Sequence, residues 1–271
     1  MIQHQSYLGI QNESANINHE QIKRNGFFII ENLIDKKLIK SLSSELDRVW
    51  ENQVRKYSEV NLKKINDWGQ VRAPMNESDE FLKLITNKSI LNYVDEFVGD
   101  TAILHLQNGI ILYPSLNHNQ SKFHKDFPKN FISSEILSFN SFIALDDFTI
   151  ENGGTFLVPG SHLKNEKPSN EFIESNKIQI TCSSGSVIFF DSTLWHAGGQ
   201  NKTVSVRRAI NMQWTKPFIK QQLDYPEILK DKVDIESLLA QKLGMWTIPP
   251  KSVDQYRVLD ESQRTYRRGQ G

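Results

Sequence analysis

The stretch Val187-Ile188-Phe189-Phe190-Asp191-Ser192-Thr193-Leu194-Trp195-His196-Ala197-Gly198-Gly199-Gln200-Asn201 decides how the chain is read. Its first four residues are apolar and short enough for a buried strand. Asp191-Ser192-Thr193 suits a turn, and a second short strand then carries His196 toward an interior. Runs of the same texture lie at 103–113, 136–145, 155–158, 178–182 and 203–214, divided by clusters of Pro, Gly, Asn and Ser. Several short strands without interleaved helices mean an antiparallel sandwich or barrel.

Upstream the pattern differs. Residues 26–31 read as a short buried strand. Asp35 is placed as an N-cap, with Ile34 and Ile39 as a hydrophobic staple. Leu38, Ile39, Leu42, Leu46, Val49, Trp50 and Val54 then recur at the helical period, so this helix lays one face on a larger body. Residues 76–98 predict two shorter helices. Residues 160–177 are polar and long for a hairpin loop, which makes them a candidate lid. Asp234 is placed to cap a last helix over 235–243, ended by Gly244. Residues 1–20 are polar and read as loosely held, and the tail after Lys251 is polar and mixed in charge.

Composition narrows the function. Of 271 residues, 32 are Lys or Arg and 32 are Asp or Glu, a net charge of zero. That balance argues against nucleic acid or a membrane surface as partner, since both reward excess positive charge. Neither a signal segment nor a spanning run is expected, and cytoplasm is the expected compartment. One cysteine, Cys182, excludes an intramolecular disulfide and any multi-cysteine metal site.

Among seven histidines the informative one is His124, in Phe123-His124-Lys125-Asp126-Phe127. In an extended segment residues i and i+2 share a side, so His124 and Asp126 reach one metal ion together. Alone the pair is common and also fits a surface histidine. With His196 it makes two histidines and a carboxylate, the facial triad of non-haem Fe(II) oxygenases. Arg207 follows eleven residues after His196. On an extended strand it shares a face with Ser205, Ala209 and Asn211, while Arg208 lies with Val204, Val206, Ile210, Met212 and Trp214. A buried guanidinium needs a partner, and a bidentate carboxylate suits it; on its own, either arginine also fits a surface salt bridge. His105 and His118 are candidates for the pocket mouth, and His162 for a local turn.

Four pieces in order resemble a known family: His124-Lys125-Asp126, then Glu151-Asn152-Gly153-Gly154-Thr155-Phe156-Leu157-Val158-Pro159-Gly160-Ser161-His162, then His196-Ala197-Gly198-Gly199-Gln200-Asn201-Lys202-Thr203, then Arg207. The chain resembles the phytanoyl-CoA dioxygenase (PhyH) type of Fe(II)/2-oxoglutarate-dependent oxygenases from about residue 26 to about 214. The resemblance implies a mainly β fold with α, a double-stranded β-helix or jelly roll (101–216) behind a helical layer (33–98), with a C-terminal helix and tail (217–271). It implies one domain over 21–271, preceded by a polar segment, 1–20. It implies His124, Asp126 and His196 as iron ligands and Arg207 as the clamp on 2-oxoglutarate. Gln107 and Phe142 fall where the family lines its cosubstrate pocket. Tyr113-Pro114-Ser115 departs from a Lys-Pro pair frequent in relatives, so no lysine contact is expected from that turn.

The implied activity consumes Fe(II), 2-oxoglutarate and O₂, with ascorbate as reductant in vitro, and releases succinate and CO₂. Hydroxylation of a small molecule is the default outcome; desaturation, cyclisation or epimerisation needs only another substrate pose. A non-catalytic cupin-like binding protein is the alternative of a different class, against which the triad plus Arg207 argues. Neutral charge disfavours a strongly anionic CoA thioester as substrate. Specificity is expected in 160–177, in 68–77 and from Lys216 onward, and assembly as monomer or homodimer.

Overall fold

A computed structural model describes residues 15–115, 119–127, 133–258, 266–267 and 269–270. His118 lies outside them. The helices used below are α1 (Ala15–Asn25), α2 (Lys36–Tyr57), α3 (Glu59–Lys64), α4 (Asp79–Ile85), α5 (Lys88–Phe97), α6 (Asn170–Asn176), α7 (Tyr225–Leu229) and α8 (Leu238–Lys242). The strands are β1 (Phe27–Ile30), β2 (Gln70–Arg72), β3 (Ile103–Leu112), β4 (Ser138–Ala144), β5 (Phe156–Leu157), β6 (Ile178–Gln179), β7 (Val187–Asp191), β8 (His196–Ala197) and β9 (Arg207–Thr215).

Asp35 starts α2 as expected: its carboxylate accepts from the N–H groups of Lys37 and Leu38, which a first helical turn leaves without partners. The α2 face of Ile39, Leu42, Leu46, Val49 and Trp50 is buried on the sheet. Gly109 of β3 permits that approach, since a Cβ there would lie 2.1 Å from Leu46 Cδ1. Each of these side chains contributes about 1.5–3 kcal/mol by leaving water.

Six antiparallel strands form the major sheet in the order β1-β7-β4-β9-β3-β2, and three form the minor sheet, β6-β5-β8. The architecture is the jelly roll, with its main core between helices and major sheet and a smaller one between the sheets. The stretch before residue 101 is more than a helical layer, because β1 and β2 supply both edges of the major sheet.

Several boundaries differ from expectation, each for a local reason. Residues 15–20 are not loose: they begin α1, which buries Asn18 and Ile22, one i,i+4 pair too sparse to show as a periodic pattern. The last strand starts at Arg207 and not at 203, because the Asn201 side chain takes Thr203 N–H and donates to Ser205 O, forming a turn. Ser205 is therefore exposed and off the strand. Helix α8 is capped by Ser237, whose Oγ accepts from Ala240 N–H, while Asp234 closes a separate turn through Glu236 N–H. Residues 160–177 hold α6, which buries Ile173 against Val158 and Trp195.

Candidate active site

Two short backbone hydrogen bonds join the segments that carry the candidate ligands. His124 N–H donates to His196 O at 2.9 Å, and His196 N–H to His124 O at 3.0 Å. Asp126, two residues on, is tied by its N–H to Ser192 O at 3.0 Å. His124, Asp126 and His196 consequently offer ligand atoms within 4.8 Å of one another. Asp126 Oδ1 lies 3.5 Å from His124 Nε2 and 3.6 Å from His196 Nε2.

The tautomers follow from the other ring nitrogens. His124 Nδ1 is 2.8 Å from Lys122 O and His196 Nδ1 is 3.0 Å from Leu194 O. Carbonyls only accept, so each Nδ1 carries the proton and each Nε2 presents its lone pair to the shared space. Burial pushes the His196 imidazole below its ordinary pKa, against the opposing pull of Asp126. Burial works to raise the Asp126 carboxyl, but His196, His124 and the Asn140 amide together hold it well below the usual carboxylate range. The site thus combines two imidazoles, each turning its Nε2 to the shared space, with one carboxylate, a donor set suited to a divalent first-row metal.

Arg207 stands on β9, where the cavity face runs Arg207, Ala209, Asn211, Gln213. It is 2% exposed. Its Nη2 donates to Gly153 O at 3.2 Å and its guanidinium carbon sits 4.3 Å above the Phe148 ring, but Nε and Nη1 have no partner among the described residues. Burial lowers it to about 10, so it stays a cation at neutral pH. Gly154 makes this corner possible, since a Cβ there would strike Ile180 O at 2.1 Å. A buried cation facing a cavity with two donors unused is a receptor for an anion from outside the chain. Arg208, on the opposite face, forks onto Asp47 of α2 at 2.8 and 2.9 Å and reaches Asp146 at 3.3 Å.

One cavity of about 250 Å³ connects these groups; Phe142 and Phe190 line it, as do Arg207 and all three candidate ligands. Gln107 does not line it. The β3–β9 register sets Gln107 opposite Met212 and Asn108 opposite Asn211, so Gln107 has the parity of the helix side. There its Nε2 donates to Phe81 O at 3.0 Å. The expected place in the pocket belongs to Asn108. His105 does line the cavity, because the bulge between Leu104 and Leu106 breaks the alternation. Of the segments expected to set specificity, 68–77 and the stretch from 216 reach the cavity through Gln70, Arg72 and Gln222, whereas 160–177 does not.

Fold and site together define a jelly-roll protein with two imidazoles, a carboxylate and a buried cation around one cavity. The chain belongs to the phytanoyl-CoA dioxygenase (PhyH) family, whose model matches residues 22–209. It is 36% identical over 253 residues to an uncharacterised protein of Mycobacterium tuberculosis, covering 91% of this chain and 92% of that one. Human peroxisomal phytanoyl-CoA dioxygenase is 24% identical over 222 residues, covering 70% and 64%. Among solved structures, HygX from Streptomyces hygroscopicus with nickel and 2-oxoglutarate bound has a TM-score of 0.59 at 16% identity, covering 79% and 91%. The epimerase SnoN in complex with Fe3+, alpha ketoglutarate and nogalamycin RO has a TM-score of 0.58 at 17% identity, covering 74% and 82%. At these identities the likeness is one of fold. Among the described residues no helix is long and apolar enough to cross a membrane.

Proposed function

We propose that the chain is an Fe(II)- and 2-oxoglutarate-dependent dioxygenase that hydroxylates an unactivated C–H bond of a small molecule. The observation that carries this reading is Arg207, a buried guanidinium with Nε and Nη1 unused on a cavity that also holds the His-Asp-His cluster. The iron and oxoacid, when bound, supply the oxidising power, with 2-oxoglutarate and O₂ giving succinate, CO₂ and the oxygen placed on substrate.

The protein's own residues do the positioning. His124 and His196 hold the metal through Nε2, since each Nδ1 proton is engaged by a backbone carbonyl. Asp126 contributes Oδ1, its other oxygen being taken by Asn140. Arg207 offers an unused N–H to the distal carboxylate of the oxoacid, a charge-assisted hydrogen bond. Phe142 and Phe190 give the cavity an apolar wall, Phe190 packing against the His196 ring at 5.1 Å between centroids.

The test is anaerobic loading with Fe(II) and 2-oxoglutarate, then O₂ and ascorbate, with succinate and product measured. Succinate formation and a product heavier by one oxygen are expected. No succinate with any substrate pool or in uncoupled turnover overturns the oxygenase reading. A product of unchanged mass, or one lacking two hydrogens, replaces hydroxylation by epimerisation or by desaturation or ring closure.

A further inference from the structure

The register of β3 on β9 sets the candidate metal ligands between two unlike halves of the cavity. Arg207 pairs with Leu112, Ala209 with Ile110, Asn211 with Asn108 and Gln213 with Leu106. Asp126 sits at the level of Asn211 and Gln213: the Asn140 amide joins its Oδ2 to Asn211, and Gln213 Nε2 reaches its backbone oxygen at 3.4 Å. An oxoacid that runs from Arg207 to the metal therefore fills the half walled by Leu112 and Ile110. The half left for a substrate lies at the other end of β3, where Leu106 and His105 form the wall with Gln222.

His105 is fixed in that wall. The bulge between Leu104 and Leu106 turns it to the cavity. Its carbonyl accepts from Gln222 N–H at 3.2 Å, and Gln107 N–H donates to Tyr225 Oη at 3.3 Å, so the chain after residue 216 clasps β3 at this point. Neighbouring polar side chains are engaged within the chain. Asn108 donates to Gln107 O at 3.0 Å and accepts from Arg72 Nη1 at 2.9 Å. Arg72 Nε lies 3.1 Å from both oxygens of Asp67, and Gln213 Nε2 donates to Ser138 Oγ at 2.8 Å. His105 differs: its Nδ1 is shut off from water and has no partner among the described residues. A buried nitrogen in that state costs free energy until a ligand supplies the missing bond.

The ligand chemistry follows from these neighbours. Burial lowers the His105 pKa against the opposing pull of Asp126, so the ring is uncharged at neutral pH. It gives an anion no counter-charge, and the Asp126 carboxylate repels one. A hydroxyl completes the bond to either tautomer, and a ketone to the form that carries the proton on Nδ1. Leu106 and Ile110 reward an apolar body on the rest of the molecule.

We propose that His105 binds the substrate, hydrogen-bonding an uncharged oxygen, hydroxyl or ketone, of an otherwise apolar molecule and so setting which C–H bond faces the metal. This rests on the oxygenase reading of the same site and names a specificity residue and a substrate class for it. The test is NMR on the full chain, labelled with nitrogen-15 histidine and loaded with Zn(II) and 2-oxoglutarate so that no turnover occurs. The probes are cyclohexanol, cyclohexanone, methylcyclohexane and cyclohexanecarboxylate, ring-sized because a cavity of about 250 Å³ is shared with the oxoacid. Cyclohexanol or cyclohexanone should bind, shift the His105 ring nitrogens, and bind about tenfold more tightly than the carboxylate. His105→Phe should weaken that probe about tenfold and leave methylcyclohexane unchanged, while His105→Gln should restore part of the loss. Neither variant should move the apparent KM for 2-oxoglutarate in uncoupled turnover. Should His105→Phe fail to fold, the preference of the unmodified chain for cyclohexanol or cyclohexanone over methylcyclohexane decides. Binding by neither oxygenated probe, binding of the carboxylate as tightly, an affinity that His105→Phe leaves unchanged, or a loss that falls on the 2-oxoglutarate KM instead overturns the proposal. Uncoupled succinate formation is measured separately on the unmodified chain: its absence removes the oxygenase reading, while the binding panel still judges His105.

Discussion

Asn140 holds Asp126 from behind: its Nδ2 donates to Asp126 Oδ2 at 2.8 Å and to Asn211 Oδ1 at 2.9 Å. Asn140 Oδ1 in turn accepts from Ser192 Oγ, which accepts from Ser138 Oγ at 2.8 Å, and Gln213 Nε2 donates to Ser138 Oγ at 2.8 Å. This buried chain leaves Asp126 Oδ1 as the oxygen turned to the histidines. Asn140→Leu should weaken Fe(II) binding about 10–100-fold, the usual cost of losing an orienting partner. Anaerobic Fe(II) titration of the folded variant checks this, and an unchanged affinity would show that the carboxylate needs no such support.

The two neighbouring arginines should separate cleanly. Arg207→Met should raise the apparent KM for 2-oxoglutarate by tens-fold or more, because removing one partner of a charge-assisted pair inside a closed pocket costs about 2–5 kcal/mol. Arg208→Met should leave that KM nearly unchanged and lower the melting temperature instead. Its pairs with Asp47 and Asp146 are partly exposed and contribute on the order of 1 kcal/mol. Steady-state kinetics and thermal melts distinguish the two, and the reverse pattern would mean that the β9 register is off by one.

Metal affinity should fall on the acid side only. Ligation needs unprotonated imidazole. Burial lowers His196, so at this ligand protons compete with metal only below the ordinary histidine value of about 6.5. Fe(II) affinity should hold steady from pH 8 to about 6.5 and drop beneath it. His124→Ala and His196→Ala should each abolish turnover, and retained activity in either removes that residue from the ligand set.

Asp126 bears on which atom is transferred. With its carboxylate in place the third protein position on the metal is filled, and a halide has no position vacated by the protein. The expected product in chloride buffer is hydroxylated and not chlorinated. Asp126→Gly should lose most hydroxylation while keeping its secondary structure. Product mass spectrometry and circular dichroism test this. A chlorinated product from the unmodified chain, or full hydroxylation by the variant, shows that Asp126 is no ligand.

Cys182 should be inert. Burial, helped by the Glu31 charge, pushes its thiol up to about 12, so roughly one molecule in 10⁴ carries a thiolate at pH 8. Iodoacetamide should add nothing to the native chain over an hour and one carbamidomethyl group in denaturant, as read by intact mass. Rapid native labelling would mean that the bridge between Cys182 and Phe148 opens.

Which parts of the molecule are legible in its sequence depends on how local their cause is. His124 and Asp126 share a side through i,i+2 geometry, and the separation of Arg207 from Arg208 follows from the small and large residues alternating around them. Gln107 is misplaced by its sequence position because its face depends on a bulge at Leu104–Leu106 and on pairing with a strand a hundred residues away. The same register, once known, carries the cavity face from Arg207, Ala209 and Asn211 across to Asn108. β2 is hidden in the sequence because three residues between helices give no alternation to read, and Arg72 is hidden with it. Asn140 does leave a signal: a polar amide in the middle of an apolar strand needs a buried partner.

The backbone bridge between His124 and His196 has a consequence for metal choice. A holder finished before its ion arrives cannot use folding to reject the wrong one. Nitrogen and oxygen donors bind nickel, copper and zinc more tightly than iron in the common divalent series. Occupancy is then governed by the supply of ions where the chain is loaded. Protein passed over an immobilised-nickel column or stored with trace zinc will carry those ions and be silent in assays until it is stripped and refilled with iron.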